Sequence, residues 1–89
     1  MEKYHGFESW LKQKEYVSWK TYLSFMKQIE KDFGGIELEK ITSITYLQKL
    51  LIELESKTAF ISRSASDKSN ILSGFRTYIE FIKEKKQSK

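Results

Sequence analysis

Apolar side chains recur three and four residues apart in four separate stretches of this 89-residue chain, and only one short piece alternates. That contrast sets the fold class, because a lone alternating piece has no second strand to pair with. Phe7, Trp10 and Leu11 mark a brief helix over about residues 6–13. Tyr22, Phe25, Met26, Ile29 and Phe33 share one face of a second helix, about 18–33, with Ser18 as its N-cap and Gly34-Gly35 as its stop. Ile44, Leu47, Leu50, Leu51 and Leu54 predict a third over about 43–56. Ile71, Phe75, Tyr78 and Ile82, flanked by Leu72 and Ile79, predict the longest, about 65–85, opened by a capping pattern from Ser64 to Asp67. The alternating piece, Ile36 to Ile41, is expected to be an extended connection that packs Ile36, Leu38 and Ile41. The expectation is all-α: one domain over residues 1–89, folded as a compact four-helix bundle. Gly74 falls inside the last helix on its core side, where glycine costs about 0.5–1 kcal/mol relative to alanine, so a close helix–helix approach is expected there.

Composition narrows the chemistry. The absence of cysteine removes disulfides and thiolate metal sites, and His5 has no second imidazole to join it. With 39% hydrophobic and 15% aromatic residues a core can form despite 31% charge. No apolar run approaches the ~20 residues that cross a bilayer, and the start lacks a secretory layout, so a cytoplasmic protein with no membrane partner is expected. No nucleophile with a neighbouring base is visible. Glu37 and Glu39, like Glu53 and Glu55, are two residues apart, a spacing that reads as solvated surface rather than an acid–base pair. Gly34-Gly35 lacks the Lys-Ser/Thr of a phosphate loop. The chain is therefore expected to be no enzyme and to carry no cofactor and no metal.

Charge is polarised along the chain. Residues 57–89 hold eight Lys and Arg against three acids, whereas 36–56 hold two against four, within a net charge of +4. A basic end suits a polyanion, since phosphate contacts release counterions and give affinity without sequence readout. Lys20, Ser24, Lys27 and Lys31 line one side of the second helix; Ser69, Ser73, Arg76 and Lys83 line one side of the last. If the helices pack so that both rows border one groove, a continuous basic surface results; if the rows face apart, none does. The tail from Lys83 also places cations where the helix dipole favours them.

Ser18-x-x-Thr21-x-x-x-Phe25-x-x-x-Ile29, preceded by Phe7-x-x-Trp10-Leu11, resembles the second-helix signature of the N-terminal core-binding, SAM-like domain of phage integrases and other tyrosine recombinases. The run Leu72 to Phe81 is similar to that domain's last helix, and the resemblance covers about residues 7–83. It implies a SAM-like bundle that clamps double-stranded DNA through its second and fourth helices. It implies DNA contacts by Lys20, Ser24 and Lys27 from the second helix, and by Arg76, with Lys68 and Arg63 near its start, from the fourth. Asp67 stands where the family often has threonine, and the family's catalytic Arg/His set and tyrosine nucleophile have no counterpart among these residues.

Two functions compete. One is a non-catalytic DNA-binding module, either free-standing or the leading domain of a larger recombinase or nuclease. The other is a small protein-interaction module, a phage or defence-linked inhibitor or adaptor, using Trp19, Tyr46, Phe60 and Phe81 as an aromatic partner surface.

Overall fold

A computed structural model of the chain describes residues 4–87. Five α-helices follow one another: α1 His5–Gln13, α2 Trp19–Asp32, α3 Ile44–Leu54, α4 Thr58–Ile61 and α5 Ala65–Gln87, with one turn of 3-10 helix at Leu38–Lys40. No strand occurs among the described residues, so the chain is all-α. The four expected helices are α1, α2, α3 and α5. The addition is α4, a single turn of four residues whose Phe60 is buried, too short for an apolar stripe to repeat in the sequence. The bundle is thus five helices rather than four. The connection from Ile36 to Ile41 also differs in part. It is no strand, but its centre winds into the 3-10 turn, which drives Leu38 into the core while Ile36 and Ile41 stay half-buried.

Local chemistry explains where the helices begin and stop. Ser43 Oγ accepts the Tyr46 N–H at 3.3 Å and Ser64 Oγ accepts the Asp67 N–H at 3.1 Å, each satisfying a donor of a first turn. Ser18 occupies the expected N-cap of α2, yet its side chain caps nothing; its carbonyl takes the Thr21 and Tyr22 N–H groups instead. Gly34 and Gly35 end α2 at φ 81° and 100°, and their N–H groups close on Lys31 and Glu30 carbonyls. Positive φ at both is the reason glycine is needed there. Glu15 makes the same kind of stop after α1 at φ 63° without being glycine.

The core is one cluster, with α5 as its axis. Phe75, Ile71, Tyr78, Ile79 and Ile82 from α5 meet Met26 and Ile29 from α2, Leu47, Leu50 and Leu54 from α3, and Phe7 and Leu11 from α1. Tyr4, just before α1, is also buried, and its ring stands edge-on to Tyr78 at 5.6 Å. Its hydroxyl donates to Glu30 Oε2 at 2.5 Å, and the Leu38 N–H donates to the same oxygen at 3.1 Å. Glu30 is thereby the charged residue that the core accepts, held by donors that burial alone would otherwise leave unmatched. A Cβ built on Gly74 would stand 2.8 Å from Phe25 Cδ2 and 3.1 Å from Phe25 Cβ, so the close approach expected at this glycine is the contact of α5 with α2.

Candidate nucleic-acid interface

Helix α2 turns Phe25 toward α5, and its buried stripe runs through Met26 and Ile29. At about 100° per residue, Lys20, Ser24, Lys27 and Lys31 fall on the side opposite that stripe, and all four are exposed. From Lys20 to Lys31 the row extends about 16 Å along the axis. The two acids of α2 do not reach this side. Glu30 is buried against Tyr4 and Leu38, and the Asp32 carboxylate, only 3% exposed, is held by Arg63. The outward positions of α2 therefore carry three lysines and no carboxylate.

At the α1 end the row gains a member that spacing along the chain does not reveal. Lys12 of α1 places its ammonium 4.3 Å from the centre of the Trp19 ring, while the Lys20 ammonium lies 5.5 Å from the same ring. Trp19 is half-buried and packs on the core, so it fixes two cations side by side across the α1–α2 junction. Lys12 also pairs with Glu8 at 2.9 Å, which partly neutralises it. Ser24 Oγ accepts from Gln28 Nε2 at 3.3 Å, an arrangement that leaves its own proton able to donate outward.

The remaining candidates are elsewhere. Arg63, in the turn before α5, donates from Nε and Nη2 to both Asp32 oxygens at 3.3 and 2.8 Å, and from Nη1 to Gln28 Oε1 at 3.0 Å. This fork joins the C-terminal turn of α2 to the start of α5, and it occupies the guanidinium with internal partners. Gly74 marks the side of α5 that faces α2; Arg76, two residues on, is turned about 200° from it. Arg76 accordingly borders a shallow groove with Gln48 and Leu51 of α3, and a second depression with Glu55, Phe60 and Lys68. The rows on α2 and α5 point to different sides of the molecule and share no groove. Lys83 of that second row also lies 3.7 Å from Glu80. The structure thus brings Lys20, Ser24 and Lys27 together, places Lys68 and Arg76 together on another face, and spends Arg63 inside the fold.

The aromatic residues considered for a partner surface do not form one. Phe60 is buried in the core. Phe81 is half-buried among Phe7, Trp10 and Tyr78, with ring centres 5.4–5.9 Å away, and Trp19 lies under the lysines described above. Tyr46 alone of the four is exposed, on α3.

Other chemistry is sparse. His5 is exposed at the start of α1; Glu37 pairs with Lys40 at 2.8 Å, and Glu39 accepts the Tyr4 backbone N–H at 2.9 Å. Among the described residues no three His, Cys, Asp or Glu side chains are grouped as metal ligands, and no helix is long and apolar enough to cross a membrane. No family model, curated protein or solved structure matches the chain.

Proposed function

We propose that this chain binds double-stranded DNA without acting on it chemically, resting on the phosphate backbone through the outward face of α2. The observation that carries the reading is the exposed row Lys20, Lys27 and Lys31, with Ser24 among them, on a face free of carboxylates. Ammonium groups held along a rigid helix contact successive phosphates, release condensed counterions, and give affinity that depends little on base sequence. Ser24 adds a short hydroxyl donor, and Lys12 beside Trp19 extends the positive surface toward α1. The resemblance to recombinase core-binding domains supports the same helix as the one that faces DNA. With Lys68 and Arg76 on another side and Arg63 paired to Asp32, the reading rests on α2 rather than on two helices.

The test is duplex binding as a function of salt. Three lysine–phosphate contacts give a log–log slope of about −2.7, so raising salt from ~50 to ~200 mM lowers affinity roughly 40-fold. Replacing Lys20, Lys27 and Lys31 together by Glu abolishes binding and leaves helicity unchanged. A response flat in salt, or undiminished binding by the triple variant, refutes the reading.

A further inference from the structure

The surface between α3 and α5 is built for something other than a polyanion. Its floor is apolar, formed by half-buried Leu51 and Leu72. Two large aliphatic side chains stand in water: Ile61, which borders the depression from α4 and is 53% exposed, and Ile52, which is 73% exposed. Ile52 lies four residues beyond Gln48, which lines the groove, and three before Glu55, which lines the adjoining depression, so it stands on the α3 edge between the two. A lone exposed isoleucine is unremarkable, but two beside adjoining depressions that share Arg76 make a patch.

The charges around this patch identify its occupant. Arg76 and Lys68 line it from α5 and Glu55 lines it from the C-terminal cap of α3, and none of these three makes an ion pair with any described residue. Glu55 argues against nucleic acid or an acidic segment, and the two cations argue against a basic one. Opposite charges on opposite walls of an apolar strip are instead self-complementary. Under a two-fold axis, Arg76 of one copy meets Glu55 of the other, and the reciprocal contact follows by symmetry. We infer that the α3–α5 surface is a homodimer interface whose occupant is a second copy of this chain, with Ile52 and Ile61 adding apolar contacts beside the Leu51 and Leu72 floor and Arg76 and Glu55 paired across it.

The strip spans about 22 Å of α5 from Lys68 to Lys83. With two isoleucines and one reciprocal ion pair as its contacts, the interface is a small one and the dimer is expected to be weak. The α2 lysine row lies on a different face and stays exposed in such a pair, leaving the DNA-binding reading independent of it.

Sedimentation velocity from ~10 to ~500 µM, without nucleic acid, decides the matter. The expected result is a rise in weight-average sedimentation coefficient from monomer toward dimer. Ile52→Glu, at an exposed position that the fold does not depend on, holds the chain monomeric at every concentration with an unchanged far-UV spectrum. Arg76→Glu weakens association at least tenfold, and adding Glu55→Arg restores it. The doubly exchanged chain pairs with itself and not with the original sequence. A wild-type chain monomeric throughout overturns the inference. So does a dimer that Ile52→Glu or Arg76→Glu leaves intact, since association then uses another face.

Discussion

Replacing Gly74 by alanine sets two opposing effects against each other, and the structure says which is larger. Alanine in a helix interior is favoured over glycine by about 0.8–1 kcal/mol. Against that, the new methyl would stand 2.8 Å from Phe25 Cδ2, 3.1 Å from Cβ and 3.4 Å from Cγ. Rotating the ring clears the first contact but not the second, because Phe25 Cβ moves only with the backbone of α2. Moving α2 disturbs Met26 and Ile29 in the core and the Asp32–Arg63 fork at its end. Overpacking of this kind costs about 1–3 kcal/mol, so Gly74→Ala is expected to destabilise the fold by about 1 kcal/mol net. In a domain of this size that lowers Tm by about 4–8 °C. The partner variant Phe25→Ala, itself destabilising, removes Cγ and Cδ2. In that background the Cδ2 and Cγ contacts are gone but the 3.1 Å Cβ contact remains, so Gly74→Ala should be close to neutral, giving a coupling of about 1 kcal/mol between the two positions. Urea unfolding of the four proteins, followed by circular dichroism, measures the cycle. A Gly74→Ala chain with a higher midpoint and unchanged slope would show that propensity outweighs packing and that α2 and α5 are not in tight contact at this glycine.

Arg63→Ala leaves the Asp32 carboxylate buried without its fork and should cost about 3 kcal/mol, whereas Lys27→Ala on the open face of α2 stays within about 0.5 kcal/mol; thermal melts compare them directly. Tyr4→Phe removes a donor from the buried Glu30 carboxylate and should cost about 1.5–3 kcal/mol by urea titration. Burial, and after it the nearby carboxylates Glu39 and Glu30, pushes the Tyr78 hydroxyl up to about 12, and burial with the Glu30 hydrogen bond raises Tyr4 as well. Since the folded state holds both in their neutral form, the associated stability is complete below pH 10 and falls as pH rises through about 12, so alkaline melts should drop steeply in that window and tyrosinate absorbance should rise with unfolding. Glu15→Gly relieves a left-handed residue worth about 1–2 kcal/mol but frees the unfolded chain by about 0.5–1, for a net gain of roughly 0.5 kcal/mol in denaturant titrations.

The helices were legible because each presents an apolar stripe long enough to repeat. Leu47, Leu50 and Leu54 announce α3, and Ile71, Phe75, Tyr78 and Ile82 announce α5, whatever lies between them. What stayed hidden depends on contacts between distant residues. Four residues cannot display a period, so α4 was invisible. Tyr4 precedes any stripe and is buried because Glu30 and Tyr78 stand where it lands. Glu30 carries a charge at a core-facing position, and only the approach of the Tyr4 hydroxyl and the Leu38 N–H makes its burial affordable. Ser18 has the composition of a cap but not its geometry.

The candidate site was legible to the same extent and failed for a related reason. Counting along the sequence, α2 offers three lysines against Glu30 and Asp32, and residues 57–89 look far more basic. Folding re-sorts that count by face. Both acids of α2 turn inward and acquire partners, so the helix shows water an excess of three positive charges, undiluted along about 16 Å. In the basic segment Arg63 is withdrawn to neutralise Asp32, Lys83 is matched by Glu80, and Arg76 is turned toward Glu55 and the apolar lip of α3. A polyanion responds to the field at a surface, which sums charges by face and not by position in the chain. The sorting of charge onto faces is set by helical angle together with which face each neighbour covers. The angle is readable from spacing alone, and it correctly aligned Lys20, Ser24, Lys27 and Lys31. The covering is not readable, because it required knowing that Phe25 meets Gly74, and that contact is what turns Arg76 away from α2.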